Sequence, residues 1–116
     1  MKTIDITVPT EQGPWEIQAL QVSEHFCIHG MICGDHEVAV THISTGRLAI
    51  MGTTLAAAAE GAWALERIGI DWSFGDWTVG TGLQETHGDL LAAISRGAAK
   101  ADLVALRSVG REVTLQ

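Results

Sequence analysis

The chain has 116 residues, of which 47% are hydrophobic and 18% charged, so it is long and apolar enough to fold as one domain over residues 1–116. Seven basic side chains stand against 14 acidic ones, and the net charge of -7 argues against direct nucleic-acid binding, which needs a clustered basic surface. No apolar run approaches the roughly 18 residues that cross a bilayer, and the amino terminus alternates in polarity unlike a signal peptide, so we expect a cytoplasmic protein without membrane contact.

The first half of the chain is rich in alternating β-branched residues, which predicts strands. Residues 3–8 alternate between apolar and polar side chains as in a half-buried strand, and Gly13-Pro14 marks the turn after it. Residues 15–22 have no cleanly apolar face, which favours an edge strand or a strand bent by a bulge. Extended structure continues over residues 26–32 and ends in a turn at Cys33-Gly34-Asp35.

A β-hairpin is predicted next. Val38 and Val40 begin a strand, the turn Ser44-Thr45-Gly46-Arg47 has the residues that a tight hairpin requires, and residues 48–50 return. Together with the earlier strands, this hairpin predicts an antiparallel sheet of about four to five strands.

Helices are predicted after the strands, because 12 of the 15 alanines occur from residue 56 onward. Thr53 or Thr54 is placed to cap a helix over residues 55–68, and Gly69 stands where a left-handed residue usually ends a helix. This helix has an alanine-rich side that allows close packing on a sheet.

A second helix is predicted within residues 83–101. Its start is left open by two capping boxes, Thr81 with Gln84 and Thr86 with Asp89. A short helix and a last strand over residues 112–115 complete the chain. Strands followed by helices indicate an α+β domain, in which two helices pack on the sheet.

Histidine and cysteine side chains are concentrated between residues 25 and 36. Alternate residues of a strand share one face at spacings of about 6.6 Å, which can present ligands to Zn²⁺. A small metal-binding domain would use His25, Cys27 and His29, together with His36. In the alternative, Phe26 and Ile28 face the core, the histidines lie on a wetter side, and the cysteine packs as a small hydrophobe. We favour this alternative and expect free thiols, no metal and no cofactor.

Catalytic motifs are missing from the sequence. It contains no G-x-S-x-G nucleophile elbow. Gly80-Thr81-Gly82 is only half of a phosphate-binding loop, without the lysine that such a loop uses. Cys33 and His36 have the residue types for thiol activation, but no third group that orients them is identifiable. The sequence therefore predicts a protein that is not an enzyme.

Aromatic and acidic residues are interleaved in residues 71–77, and no lysine or arginine occurs between Asp71 and Asp89. Aromatic anchors beside carboxylates suit recognition of a basic protein surface. The predicted partner-binding residues are Asp71, Trp72, Phe74, Asp76, Trp77, Glu85 and Asp89. In the alternative, a loop tryptophan of a small α+β domain folds back to close the core, and we expect this of at least one of the three aromatic side chains.

Three stretches resemble a strand, turn, strand and helix unit of small phage and mobile-element proteins: residues 41–50, residues 55–68 and Asp71-Trp72-Ser73-Phe74. In its small size, acidity and lack of catalytic motifs, the chain is also similar to the anti-CRISPR proteins, which often bind effector surfaces that otherwise hold nucleic acid. The resemblance implies a protein-binding inhibitor and assigns no residue roles.

The sequence thus predicts a non-enzymatic interaction protein whose partner is a basic protein surface, such as that of a nucleic-acid-handling complex. Acidic groups of the first half, or those between Asp71 and Asp89, would attract this surface most strongly at low salt. Two alternatives stay open: the metal-binding domain, and an oligomeric accessory protein. A homodimer would form by pairing of the strand at residues 15–22 across a two-fold axis.

Overall fold

In a computed structural model of the chain, which describes residues 2–30, 37–76 and 82–110, five strands precede three helices. The strands are β1 (Lys2–Thr10), β2 (Gly13–Gln21), β3 (Phe26–Gly30), β4 (Val38–His42) and β5 (Arg47–Thr53). The helices are α1 (Leu55–Arg67), α2 (Leu83–Ala99) and α3 (Leu103–Ser108). The α+β class and its antiparallel sheet are confirmed, while the turn at 33–35 and the strand at 112–115 fall outside the described residues. None of the helices in the described ranges is long and apolar enough to cross a membrane.

The five strands form one sheet in the order β1-β2-β3-β4-β5, so each pairs with its neighbour in sequence. β1 and β2 pair over their whole length, from Lys2↔Gln21 to Thr10↔Gly13, whereas β2 pairs with β3 only at Leu20 and Gln21. Residues 2–21 therefore form a hairpin that extends beyond the rest of the sheet, and we call it the hairpin arm. Residues 15–22 were expected to form an edge strand or a bulged strand. β2 lies between β1 and β3, but residues 13–19 pair only with β1 among the described strands, and no bulge interrupts the β1–β2 register.

The sheet is strongly curled. Gly46, in the turn between β4 and β5, lies so close to β1 that a Cβ at this position would overlap the carbonyl oxygen of Thr7. In a flat sheet, β1 and β4 would be three strand spacings apart, about 14 Å, so this contact requires the arm to curl back. Gly46 also has a φ of +70°, which side-chain-bearing residues rarely adopt. The predicted hairpin turn is thus confirmed, and it supports the arm.

Apolar side chains form two clusters on opposite faces of the sheet. The larger cluster lies beneath the helices and includes Phe26 and Ile94. The smaller cluster joins the arm to β3 through Ile6, Ala19 and Cys27. Successive residues of a strand point to opposite faces, which is why Phe26 and Cys27 belong to different clusters.

The two longer helices differ in how they begin. The hydroxyl of Thr54 accepts a hydrogen bond from the Ala57 amide at 3.2 Å and caps α1, and Gly69 follows its end with a φ of +82°. Both features confirm the prediction. α2 begins after Gly82, which forms no side-chain cap, so the predicted capping box of Thr86 with Asp89 does not set its start, while Thr81 lies outside the described residues. Its backbone leaves helical geometry at His87, where φ is -127°.

Two arginines fasten α3 to α1. The guanidinium of Arg67 donates to the carbonyl oxygen of Leu106 at 3.0 Å and to that of Val109 at 3.2 Å. These carbonyls lie at the end of α3, where the carbonyl oxygen of Leu106 also accepts from the Val109 amide at 3.4 Å. Arg107 in turn pairs with Glu60 of α1 at 2.5 Å.

Candidate functional site

The tryptophan at the centre of the predicted binding segment lies inside the molecule. Trp72 is 5% exposed, and its indole N–H donates to the carbonyl oxygen of Leu65 at 2.7 Å. Its ring meets that of Phe26 edge to face at a centroid distance of 4.9 Å, an arrangement that aromatic pairs prefer. Trp72 therefore closes the core, which is the outcome expected of at least one of the three aromatic residues of this segment. Its ring is not available to a partner.

Phe74 and His42 extend this aromatic cluster, with a distance of 4.8 Å between their ring centroids. Nε2 of His42 lies 2.7 Å from the carbonyl oxygen of Trp72, and Nδ1 lies 2.9 Å from the hydroxyl of Thr45. Since a carbonyl oxygen only accepts, Nε2 carries the proton and Nδ1 accepts from the hydroxyl. Burial lowers the pKa of His42, so the imidazole is neutral at pH 7. Trp77 lies outside the described residues.

The carboxylates of the predicted segment are at the surface. Asp71 and Asp76 are exposed, as is Asp89 on α2, the helix that also contains Glu85. Asp71 Oδ1 accepts hydrogen bonds from the hydroxyl of Ser73 at 2.6 Å and from its amide at 3.0 Å. These bonds lower the pKa of Asp71 and hold its carboxylate in a turn. The segment thus presents charge to the solvent while its tryptophan anchors it from within.

A histidine–carboxylate pair joins the turn between β2 and β3 to α1. The backbone amide of His25 donates to Glu66 Oε2 at 2.9 Å, and its Nδ1 donates to Oε1 at 2.9 Å. Ser23 is buried, and its hydroxyl faces the same carboxylate without forming a hydrogen bond of normal geometry. Burial raises the pKa of Glu66, but Ser23 and His25 together outweigh it, so the pKa is lowered overall. Glu66 therefore stays ionised and fixes the position of the turn.

Carboxylates from separate parts of the chain gather around His25. Glu24 Oε1 lies 4.0 Å from His25 Nε2, and Glu66 binds the opposite ring nitrogen. Asp71 and Asp76 lie in the exposed segment that follows α1. We call this set of residues (Glu24, His25, Glu66, Asp71 and Asp76) the acidic end.

The described members of the histidine–cysteine cluster, His25, Cys27 and His29, do not converge on a metal site. Cys27 is fully buried, its thiol donates to the carbonyl oxygen of Thr41 at 3.6 Å, and burial raises its pKa to about 11. His29 was expected on a wetter side, but it is 9% exposed and its Nε2 lies 2.6 Å from the Thr41 hydroxyl. In the part of the chain that the structure describes, no three histidine, cysteine or acidic side chains could hold a metal ion. Cys33 and His36 lie outside that part.

The hairpin arm ends in an exposed tip that sequence reasoning did not single out. Trp15 is 44% exposed and stands opposite Val8 in the β1–β2 ladder. Glu11 in the turn and Glu16 beside the tryptophan are both exposed. We call these three residues (Glu11, Trp15 and Glu16) the arm tip. A signal was present: an aromatic residue in a strand without a clean apolar face indicates a strand that solvent reaches on both sides.

The histidine–carboxylate pair of the acidic end has a defined hydrogen-bonding pattern. Both oxygens of Glu66 accept from His25, and no serine, threonine or cysteine among the described residues is hydrogen-bonded to the imidazole. Comparison with protein-family models, with curated proteins and with solved structures found no match to this chain. The roles of the residues are therefore inferred from their own geometry.

Proposed function

We propose that the chain is a protein-binding module without catalytic activity, which docks its acidic end on a basic surface of a partner protein. The observation that carries this proposal is the pair of carboxylates on either side of His25, from Glu24 and Glu66, together with the exposed carboxylate of Asp71. Carboxylates that lie close together produce a negative field, which attracts positive groups of another molecule.

The acidic end is held in place before any partner arrives. Its first part, the turn that carries Glu24 and His25, is tied to α1 by the two hydrogen bonds to Glu66. Its second part is anchored by the buried ring of Trp72 and by the turn at Asp71. Charges that are already positioned lose little conformational freedom on binding, which favours affinity.

The class of partner follows from the sign of this field. Proteins that handle nucleic acid bind phosphates through clusters of lysine and arginine, so they carry surfaces complementary to the acidic end. The net charge of -7 supports the same choice. Occupation of such a surface would inhibit the partner, which agrees with what the resemblance to anti-CRISPR proteins implies.

The test is capture of a partner from a nuclease-treated lysate of the cells that make the chain. The variant Glu24→Lys with Asp71→Asn changes the charge of the acidic end, and asparagine keeps the oxygen that accepts from Ser73. The matched control is Glu37→Lys with Asp102→Asn, because both residues are exposed elsewhere and asparagine still caps a helix well.

We expect the wild-type chain and the control to retain the same protein at about 50 mM salt and to release it near about 500 mM, as screening shortens the reach of the charges. The acidic-end variant should not retain it. Circular dichroism checks that both variants are folded. Retention of no protein, or equal retention by all three chains, contradicts the proposal.

A further inference from the structure

The hairpin arm is long and ordered to its end. The molecule extends 51 Å along its longest axis and 30 and 24 Å along the others. At the turn of the arm, the Thr10 hydroxyl donates to the carbonyl oxygen of Gly13 at 2.5 Å and accepts from the Gln12 amide at 3.2 Å. Gly13 supplies the positive φ, +104°, that the reversal of the chain requires. A side chain near this turn is therefore presented from a fixed position.

Both edges of the arm are closed to strand addition near its tip. Pro9 and Pro14 face each other in the ladder, one pair away from the two-residue turn. In a hairpin with a two-residue turn, the pair that closes the turn, here Thr10 and Gly13, is hydrogen-bonded. Hydrogen-bonded and non-hydrogen-bonded pairs alternate, so the backbone groups of Pro9 and Pro14 point away from the partner strand. Thr7 follows this alternation, since its carbonyl oxygen points outward onto Gly46. Proline has no N–H to offer there, and neither edge can extend a ladder at this point.

The closed strand edges limit the kinds of contact that the tip of the arm can make. Self-association by strand pairing at the tip is disfavoured, because it needs the N–H groups that the two prolines lack. The tips of two copies would also repel each other through Glu11 and Glu16. Recognition at the tip must therefore use side chains, and must come from a molecule of opposite charge.

The side chains at the tip fit such recognition. Tryptophan is the residue most enriched where interfaces gain their affinity, and Trp15 leaves 44% of its surface to solvent. Glu11 and Glu16 flank it, and the only basic residue of the arm, Lys2, lies at the opposite end. An apolar pocket rimmed by lysine or arginine is complementary to this arrangement.

We infer that the arm tip is a second contact surface for the partner of the acidic end, with the Trp15 ring inserted into an apolar pocket on the partner's basic surface. The inference rests on the proposed function, and it adds the position and chemistry of the anchor. The two surfaces lie at opposite ends of β2, because the turn that carries Glu24 and His25 follows Gln21 directly.

The first experiment measures affinity for the captured partner with the full-length chain. Trp15→Ala removes the anchor, Trp15→Phe keeps an aromatic ring, and Trp63→Ala is the matched control because Trp63 is 49% exposed on α1. We expect Trp15→Ala to weaken binding about 30-fold, Trp15→Phe to restore most of it, and Trp63→Ala to change it less than about twofold. Equal affinities of the two alanine variants overturn the inference.

The second experiment locates the tip in the complex. A photo-crosslinking amino acid replaces Gln12 in the turn, and a control replaces Val104, which is 72% exposed on α3. We expect the protein that the acidic end retains to be crosslinked from position 12 and not from position 104. Crosslinks only between copies of the chain, or none from position 12 in a formed complex, overturn the inference. If the wild-type chain retains no protein at all, the proposed function itself fails, and the two failures are thereby distinguished.

Discussion

The helix-covered part of the sheet and the hairpin arm each place a tryptophan beside an acidic residue, and the two tryptophans do opposite things. Trp72 follows Asp71 and is 5% exposed, whereas Trp15 precedes Glu16 and is 44% exposed. The two short sequence patterns, each a tryptophan next to an acidic residue, look alike. The difference is that a helix offers Trp72 a carbonyl acceptor and an apolar surface, while none of the described helices packs on the end of the arm. Whether such a tryptophan is buried or exposed is decided by the element that packs on it.

This contrast predicts that substitutions under the helices reduce stability and those at the arm tip reduce binding. The largest loss of stability is expected for Trp72→Ala, which empties a core position and removes the hydrogen bond to Leu65. We expect the free energy of unfolding to fall by about 3–5 kcal/mol, measured by urea denaturation followed by circular dichroism. A loss under about 1 kcal/mol would mean that Trp72 does not close the core.

The next largest effect tests how the two regions are joined. Gly46→Ala places a Cβ against the Thr7 carbonyl and forces a side chain into positive φ, so we expect a loss of about 2 kcal/mol or more. Gly69→Ala is the matched control, because its φ is +82° and nothing lies within 4 Å of its added Cβ. Urea denaturation of both variants should show a larger loss for position 46. Equal losses would contradict a tight contact between the arm and the β4–β5 turn.

A pH-dependent effect is expected at His42, in the helix-covered region. Burial holds the pKa of His42 below the ordinary 6.5, so under mildly acid conditions the unfolded chain binds a proton that the folded chain does not. The free energy of unfolding should therefore fall as the pH drops from 6.5 toward the lowered pKa. The variant His42→Gln, which keeps a donor for the Trp72 carbonyl, should show a smaller decline between pH 7 and pH 5. The same decline in both chains would exclude His42 as its source.

The smallest effect on stability is expected at the arm tip. Trp15→Ala exposes part of Val8 but leaves the cluster around Ile6 intact, so the free energy of unfolding should fall by under about 1 kcal/mol. Trp63→Ala, on the outer surface of α1, should behave similarly in the same denaturation series. If Trp15→Ala instead lowered the free energy of unfolding as much as Trp72→Ala, the arm would be part of the core, and the two tryptophans would not differ in role.

Local sequence patterns were sufficient to predict those features that depend on backbone geometry within a few residues. The cap at Thr54, the end of α1 at Gly69 and the turn at Gly46 were all predicted correctly. Each depends on a side-chain oxygen next to free amides, or on a φ that glycine adopts at low cost. The α+β class followed from the same signals taken together.

Contacts between distant parts of the chain were not predictable in this way. His25 and Glu66 are 41 residues apart, and nothing near either residue indicates that they meet. The mixed faces of residues 15–22 indicated an edge strand, but they reflect an arm that curls away from the helices. The exposed carboxylates Asp71 and Asp76 were identified, while their neighbours in the acidic end depended on how α1 crosses the sheet.

The guanidinium of Arg67 links the end of α1 to carbonyls 39 and 42 residues further along the chain. A six-residue helix such as α3 would normally fray on its own. Held by Arg67, it should open only when the last turn of α1 opens too, so the two form one cooperative unit in native-state hydrogen exchange. Amides of α3 and of the last turn of α1 should then exchange at similar rates. A substitution of Arg67 should change both exchange rates in the same direction.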